Sequence, residues 1–133
     1  MEIINEYPPN YKSILNAFPS IKDEKGALFC YGRAIYNPGG AEINECLMHH
    51  EATHSIRQDK IGPSKWWRRY IRDARFRLEE EIVAYRNQYQ LYCKLVTSED
   101  KRFNYLHDLA MTCSSPIYGN MISYEEGKIL IKQ

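Results

Sequence analysis

The stretch Leu47–Gln58 reads LMHHEATHSIRQ and holds three of the four histidines in the chain. On a helix, with about 100° between successive residues, Leu47, His50 and His54 fall within about 40° of Ile43, and Cys46 flanks them. Both histidines therefore belong to an apolar, inward stripe. Side chains four residues apart are neighbours on one face, so two imidazoles can hold one zinc ion at about 2.0–2.1 Å each. Glu51 follows at the edge of that stripe. In an HExxH helix the glutamate does not bind the metal; it takes a proton from the attacking water and later hands it to the leaving group. His49 points about 100° away from His50 and reads as a surface or supporting residue. Two core histidines bonded to backbone, with Glu51 as a surface charge, would spell the same letters, so the reading needs a third ligand.

Three kinds of third ligand can be set against the sequence. A metzincin continuation needs glycine and histidine three and six residues after His54, where Arg57 and Lys60 stand. A distant histidine can only be His107, which has no supporting local pattern. The remaining source is RLEEEIVAYRNQ, with Glu79, Glu80 and Glu81. The apolar stripe of that segment is Trp67, Ile71, Ala74, Leu78, Ile82, Tyr85 and Tyr89, spaced by threes and fours. With Leu78 at zero, Glu81 lies near −60°, Glu79 near 100° and Glu80 near 200°, each about 100° per residue along the helix. Only Glu81 adjoins the stripe. A carboxylate on an inward face costs several kcal/mol unless it is paired or binds metal, and a zinc ion on two histidines would be its partner.

The rest of the chain frames this pair of helices. With 133 residues, 44% of them hydrophobic, it suits one domain over residues 1–133. Lys plus Arg (18) balance Asp plus Glu (17), so no global field draws the protein to nucleic acid or a membrane, and neither is expected as a partner. The segment Lys65–Arg77, KWWRRYIRDARFR, reads as a solvated basic helix face. Cys30, Cys46, Cys93 and Cys113 form no CxxC pair, which argues against a thiolate zinc site and a disulfide framework. The start, MEIINEYPPN, lacks the pattern of a signal peptide, and the expectation is a cytoplasmic protein or one packaged with a virion.

Punctuation places the elements. Asn10 can cap a short helix over YKSILNAF that stops before Pro19. GALFCYGRAIY, Gly26–Tyr36, reads as one or two strands bent at Gly32 and closed by the turn Asn37–Gly40. The histidine helix is expected over Ala41–Arg57, and a single long helix, capped by Ser64, over Lys65–Lys94. A further helix follows Ser98 to Cys113, and Ser123 with Glu126 forms a capping box for a last one. The fold class is α+β, mostly helical, with a small sheet ahead of the histidine helix.

HExxH followed by a helix carrying ExxA, Glu81-Ile82-Val83-Ala84, resembles the gluzincin pattern of the thermolysin-like peptidases, whose third ligand opens an ExxA/S turn. The strings YGRAIYNPGG, MHHEATHSIRQ, WWRRYIRD, EEEIVAYRNQ and SSPIYGNMIS are similar to small HExxH proteins of phage and prophage genomes described as metallopeptidases. The likeness spans Tyr31 to Ser123. It implies a minimal zincin-like domain in which zinc sits on His50, His54 and Glu81, Glu51 is general base and acid, and a peptide or protein is the substrate. One departure stands out: thermolysin-like enzymes place an aspartate four residues after the glutamate to orient a histidine, and here that position is Tyr85. Orientation must then come from elsewhere.

If the strand before the HExxH helix is an exposed edge, Ala34, Ile35 and Tyr36 are the candidates to bind an extended peptide by strand addition. Tyr118, His107 and Tyr36 are the candidate donors to the transition-state oxyanion. The alternative to an enzyme is a phage- or virion-associated binding protein that keeps the fold and uses its aromatic and basic surface.

Overall fold

A computed structural model describes residues 1–133. Three short strands, β1 (Glu2–Ile4), β2 (Phe29–Tyr31) and β3 (Ala34–Tyr36), accompany six helices. These are α1 (Tyr11–Ala17), α2 (Glu45–Ile61), α3 (Pro63–Arg72), α4 (Ala74–Leu95), α5 (Glu99–Cys113) and α6 (Tyr124–Lys132). No helix is long and apolar enough to cross a membrane.

The hairpin forms as its sequence suggests, with Gly32 at φ +64° making the bend that a β-carbon would oppose. The strand order is β1-β3-β2, with β1 parallel and β2 antiparallel to β3. Ala34, Ile35 and Tyr36 are therefore not an edge: the first residues of the chain pair along their free side and make β3 the middle strand. The expected substrate strand is thus closed on both sides, and the outer edge nearer the helices belongs to β2.

The histidine helix starts later than Ala41 because the Asn37 carboxamide uses both backbone groups of Ala41, accepting from its N–H at 3.1 Å and donating to its carbonyl at 2.8 Å. Ala41 is thereby fixed in the loop, and Asn44 caps α2 by accepting the N–H of Leu47 at 2.9 Å. The helix runs on to Ile61 and stops at Gly62, φ +87°, ahead of Pro63. Asn10 stands at the start of α1 without making a side-chain cap, whereas Ser98 caps α5 and the Ser123–Glu126 capping box closes as expected.

The single helix expected over Lys65–Lys94 is two. Ser64 lies inside α3, and the break is at Asp73, whose extended backbone ends α3 while its carboxylate accepts the N–H groups of Arg75 and Phe76 and caps α4. The buried Arg77 guanidinium donates to the carbonyls of Tyr70 and Ile71, which end α3, and to that of Ile117. Both devices supply partners to helix-end groups that would otherwise lack them.

Helix α4 is the hub, packed by α2 and α3 on one face and by α5 and α6 on the adjoining one. The larger core lies on the second side, around Leu78, Ile82, Tyr89, Leu106, Ala110 and Ile131. The smaller one joins Ile14, Phe29, Trp66 and Trp67. Polar faces of α4 are consequently buried as well. Glu80, expected to point outward, is 3% exposed; it accepts from Trp66 Nε1 at 2.6 Å and pairs with Arg57. All four cysteines are free, and burial pushes the Cys113 thiol up to about 12.

Removing the cap with Asp73→Ala should cost about 1 kcal/mol. Arg77→Leu, which orphans three carbonyls, should cost about 3 kcal/mol. Urea unfolding followed by helical circular dichroism checks both, and equal midpoints for the two variants would contradict the role given to Arg77.

Candidate metal centre

Helix α2 turns His50 and His54 toward α4, and α4 answers with Glu81. His50 Nε2 lies 3.0 Å from Glu81 Oε1, His54 Nε2 lies 3.1 Å from the same oxygen, and the two Nε2 atoms are 3.1 Å apart. The three side chains are buried and form the one group of three or more potential metal ligands in the chain. His49 is exposed, as its position on the wheel requires.

The tautomer of His50 follows from the residues behind it. Gln88 donates its amide nitrogen to the Tyr105 hydroxyl at 2.6 Å, so its oxygen is what faces His50 Nδ1, 2.8 Å away. Nδ1 is then the donor, and the neutral imidazole carries its lone pair on Nε2. That lone pair points at a carboxylate oxygen and lies beside a second imidazole nitrogen. Where such atoms turn lone pairs to one another at about 3 Å in a medium of low dielectric they repel, and a proton or a cation among them relieves the repulsion. A second proton on His50 would relieve one side of the triangle, whereas a dication would satisfy all three.

Zinc fits this donor set: two imidazole nitrogens and one carboxylate oxygen are a known three-ligand set for a catalytic zinc, and tetrahedral bonds of about 2.0–2.1 Å need donors roughly 3.3 Å apart, a few tenths of an ångström more than seen here. The second oxygen of Glu81 accepts the Tyr70 hydroxyl at 2.5 Å, which leaves Oε1 alone facing the histidines. His54 Nδ1 is buried without a partner, and its ring lies against the Trp66 indole with centroids 5.3 Å apart.

The group opens onto a cavity of about 190 Å³ lined by Leu28, Phe29 and Cys30 of the sheet, by Trp66, Trp67 and Tyr70 of α3, and by Tyr85 of α4. Glu51 lines it too. It is 8% exposed, and burial, reinforced by the Glu81 charge, pushes its carboxyl up to about 7. None of the chain's donors is hydrogen-bonded to it, so its oxygens are available to whatever enters.

The expected oxyanion donors are not at the cavity. Tyr118 is buried behind Glu81 beside Tyr70 and Tyr85, His107 bonds to Tyr124 at 2.7 Å on α5, and Tyr36 packs in the smaller core. The lining phenols are Tyr70, committed to Glu81, and Tyr85, whose ring centroid is 4.7 Å from that of His50. Tyr85 thus stands where the resemblance leads one to expect an aspartate, and Gln88 takes over the task of orienting His50. Gln88 was findable: it lies seven residues after Glu81, two turns on along the same face. Tyr70 had no such signal, because its approach to Glu81 depends on the break at Asp73.

Comparison of the chain with family models, with curated proteins and with solved structures returns no match.

Gln88→Leu should leave the chain folded and weaken zinc about 10- to 100-fold, the usual effect of losing a ligand's hydrogen-bonded support. Calorimetric titration of the apoprotein measures this, and an unchanged affinity would show that Gln88 does not position His50.

Proposed function

We propose that the protein is a zinc-dependent metallopeptidase with a minimal zincin-like architecture and a gluzincin-type ligand set, His50, His54 and Glu81. The observation that carries the reading is the convergence of three electron-pair donors, one of them with its lone pair fixed by Gln88, beside a carboxylate that has no partner in the chain. Metal storage alone does not call for Glu51. A buried carboxylate next to the ligands, open to the cavity and without a partner in the chain, suits a group that accepts a proton and gives it up within one turnover.

When bound, zinc would polarise the scissile carbonyl and acidify the attacking water. The chain's own residues do the rest. Glu51 takes the proton of the water and passes it to the departing amine. Gln88 and Tyr105 fix the His50 ring, and Tyr70 holds Glu81 through its outer oxygen. Trp66, Trp67 and Tyr85 give the cavity aromatic walls. Backbone recognition falls to β2 in place of β3: Cys30 turns its carbonyl to the outer edge, so by strand alternation Leu28 faces the same way, and neither backbone group of Leu28 is bonded within the chain.

Glu51→Gln should retain one zinc per chain and lose about 10²- to 10⁴-fold in kcat, the range ascribed to a positioned acid–base group. Glu81→Ala should lose the metal. Zinc analysis by mass spectrometry with turnover of a fluorogenic peptide library checks both; full activity in the zinc-loaded Gln variant would remove the peptidase assignment, and full zinc occupancy in the Ala variant would remove the ligand assignment.

A further inference from the structure

We propose that the substrates are peptides of a few residues, gripped through the backbone of a single residue, and that chain extending further from the scissile bond adds nothing to their recognition. The inference rests on the peptidase reading and adds the size of what is cut. Beside the cavity, strand addition has one station, Leu28, whose backbone groups are unbonded within the chain. Toward the end of β2 the Gln58 side chain occupies the edge like a short strand, donating to the Cys30 carbonyl at 2.9 Å and accepting the Gly32 N–H at 2.7 Å. The Trp67 indole donates to the same carbonyl at 2.9 Å, and Gln58 is fully buried, so this closure belongs to the core. Ahead of Leu28 the chain leaves the strand direction in a turn, with Ala27 donating its N–H to the Glu24 carbonyl at 3.2 Å. That turn is packed against the loop after β3 so closely that a β-carbon on Gly39 would collide with the Lys25 carbonyl oxygen. A peptide that pairs with Leu28 therefore finds no second strand residue with both backbone groups free.

The helical walls add no further station. Their backbone groups are spent inside α2, α3 and α4, and the polar side chains of the lining already have partners. Trp66 Nε1 donates to Glu80 at 2.6 Å, Trp67 Nε1 to Cys30, and the Tyr70 hydroxyl to Glu81 at 2.5 Å. The Tyr85 phenol interacts with that of Tyr118. What remains is the set that would hold the metal and Glu51, which acts on water.

The cavity is also small. Its volume of about 190 Å³ is below the roughly 300–1,000 Å³ of clefts that take drug-sized ligands, and accommodates one residue better than a run of chain. Residues further from the scissile bond meet no free edge with which to pair.

The test uses the zinc-loaded full chain and the member of the fluorogenic peptide library that it cuts fastest. That peptide is trimmed to two residues on each side of the cut bond, then lengthened by two and by four alanines at either end. Each backbone hydrogen bond gained along a longer edge would raise kcat/KM about 2- to 10-fold, whereas the expected values stay within about 3-fold across the series. A rise of about tenfold or more on lengthening at either end overturns the inference and leaves the peptidase reading standing. If no member of the library is cut, the peptidase reading falls. Calorimetric binding of N-acetylphenylalanine hydroxamate, and of the same compound with three alanines inserted after the acetyl group, reads the edge independently of turnover. Affinities equal within about 3-fold are expected, and binding of the longer compound about tenfold tighter overturns the single-residue grip.

Discussion

Two imidazole nitrogens and one carboxylate oxygen meet within 3.1 Å of one another between α2 and α4, and much of the interior is arranged around that meeting. Bringing electron-rich atoms together away from water is unfavourable, so neighbouring groups must both force the approach and make it tolerable. Gln88 orients one ring, Tyr70 restrains the carboxylate, and the Trp66 indole backs the other ring. A cation bound there would relieve the repulsion in the folded chain but find no such cluster in the unfolded one, so its binding would stabilise the fold.

The position of α4 explains why so many of its polar residues are inside. A helix packed by one neighbour presents one stripe to the core; α4 is packed by four helices over a wide arc, so Glu80, Glu81, Arg77 and Gln88 are all buried. Each has a designated partner: Arg57 and Trp66 for Glu80, the histidines and Tyr70 for Glu81, helix-end carbonyls for Arg77, and His50 with Tyr105 for Gln88. The hydrophobic cores hold the helices together, and these polar pairings fix how far each helix is rotated.

Periodicity made the central pair of helices legible. HExxH set two side chains on one face of α2, and the wheel of the next long segment singled out Glu81 from three consecutive glutamates. Capping residues marked Ser98 and Ser123, and Gly32 marked the hairpin bend. What local pattern could not convey depends on distant pairing. Nothing within Glu2–Ile4 announces that it will cover β3 and turn an expected edge into a centre. The break at Asp73 was hidden because alanine and arginine on either side favour helix, and the carboxylate that caps α4 looks in sequence like a surface charge. The burial of Glu80 followed from the same break, since only a separate α3 can bring Trp66 against it.

The Gln58 amide has a consequence for the molecule as one copy among many. An exposed strand edge is a template on which another chain can add its own strand, and sheets left open in this way associate and aggregate. By occupying both the carbonyl of Cys30 and the amide of Gly32, a helix side chain ends the sheet from within the same fold. The opposite edge is a three-residue strand that carries Glu2, too short and too charged to invite extension. Helix α2 therefore also acts as the sheet's terminator, keeping a small, hydrogen-bond-hungry surface from recruiting its neighbours.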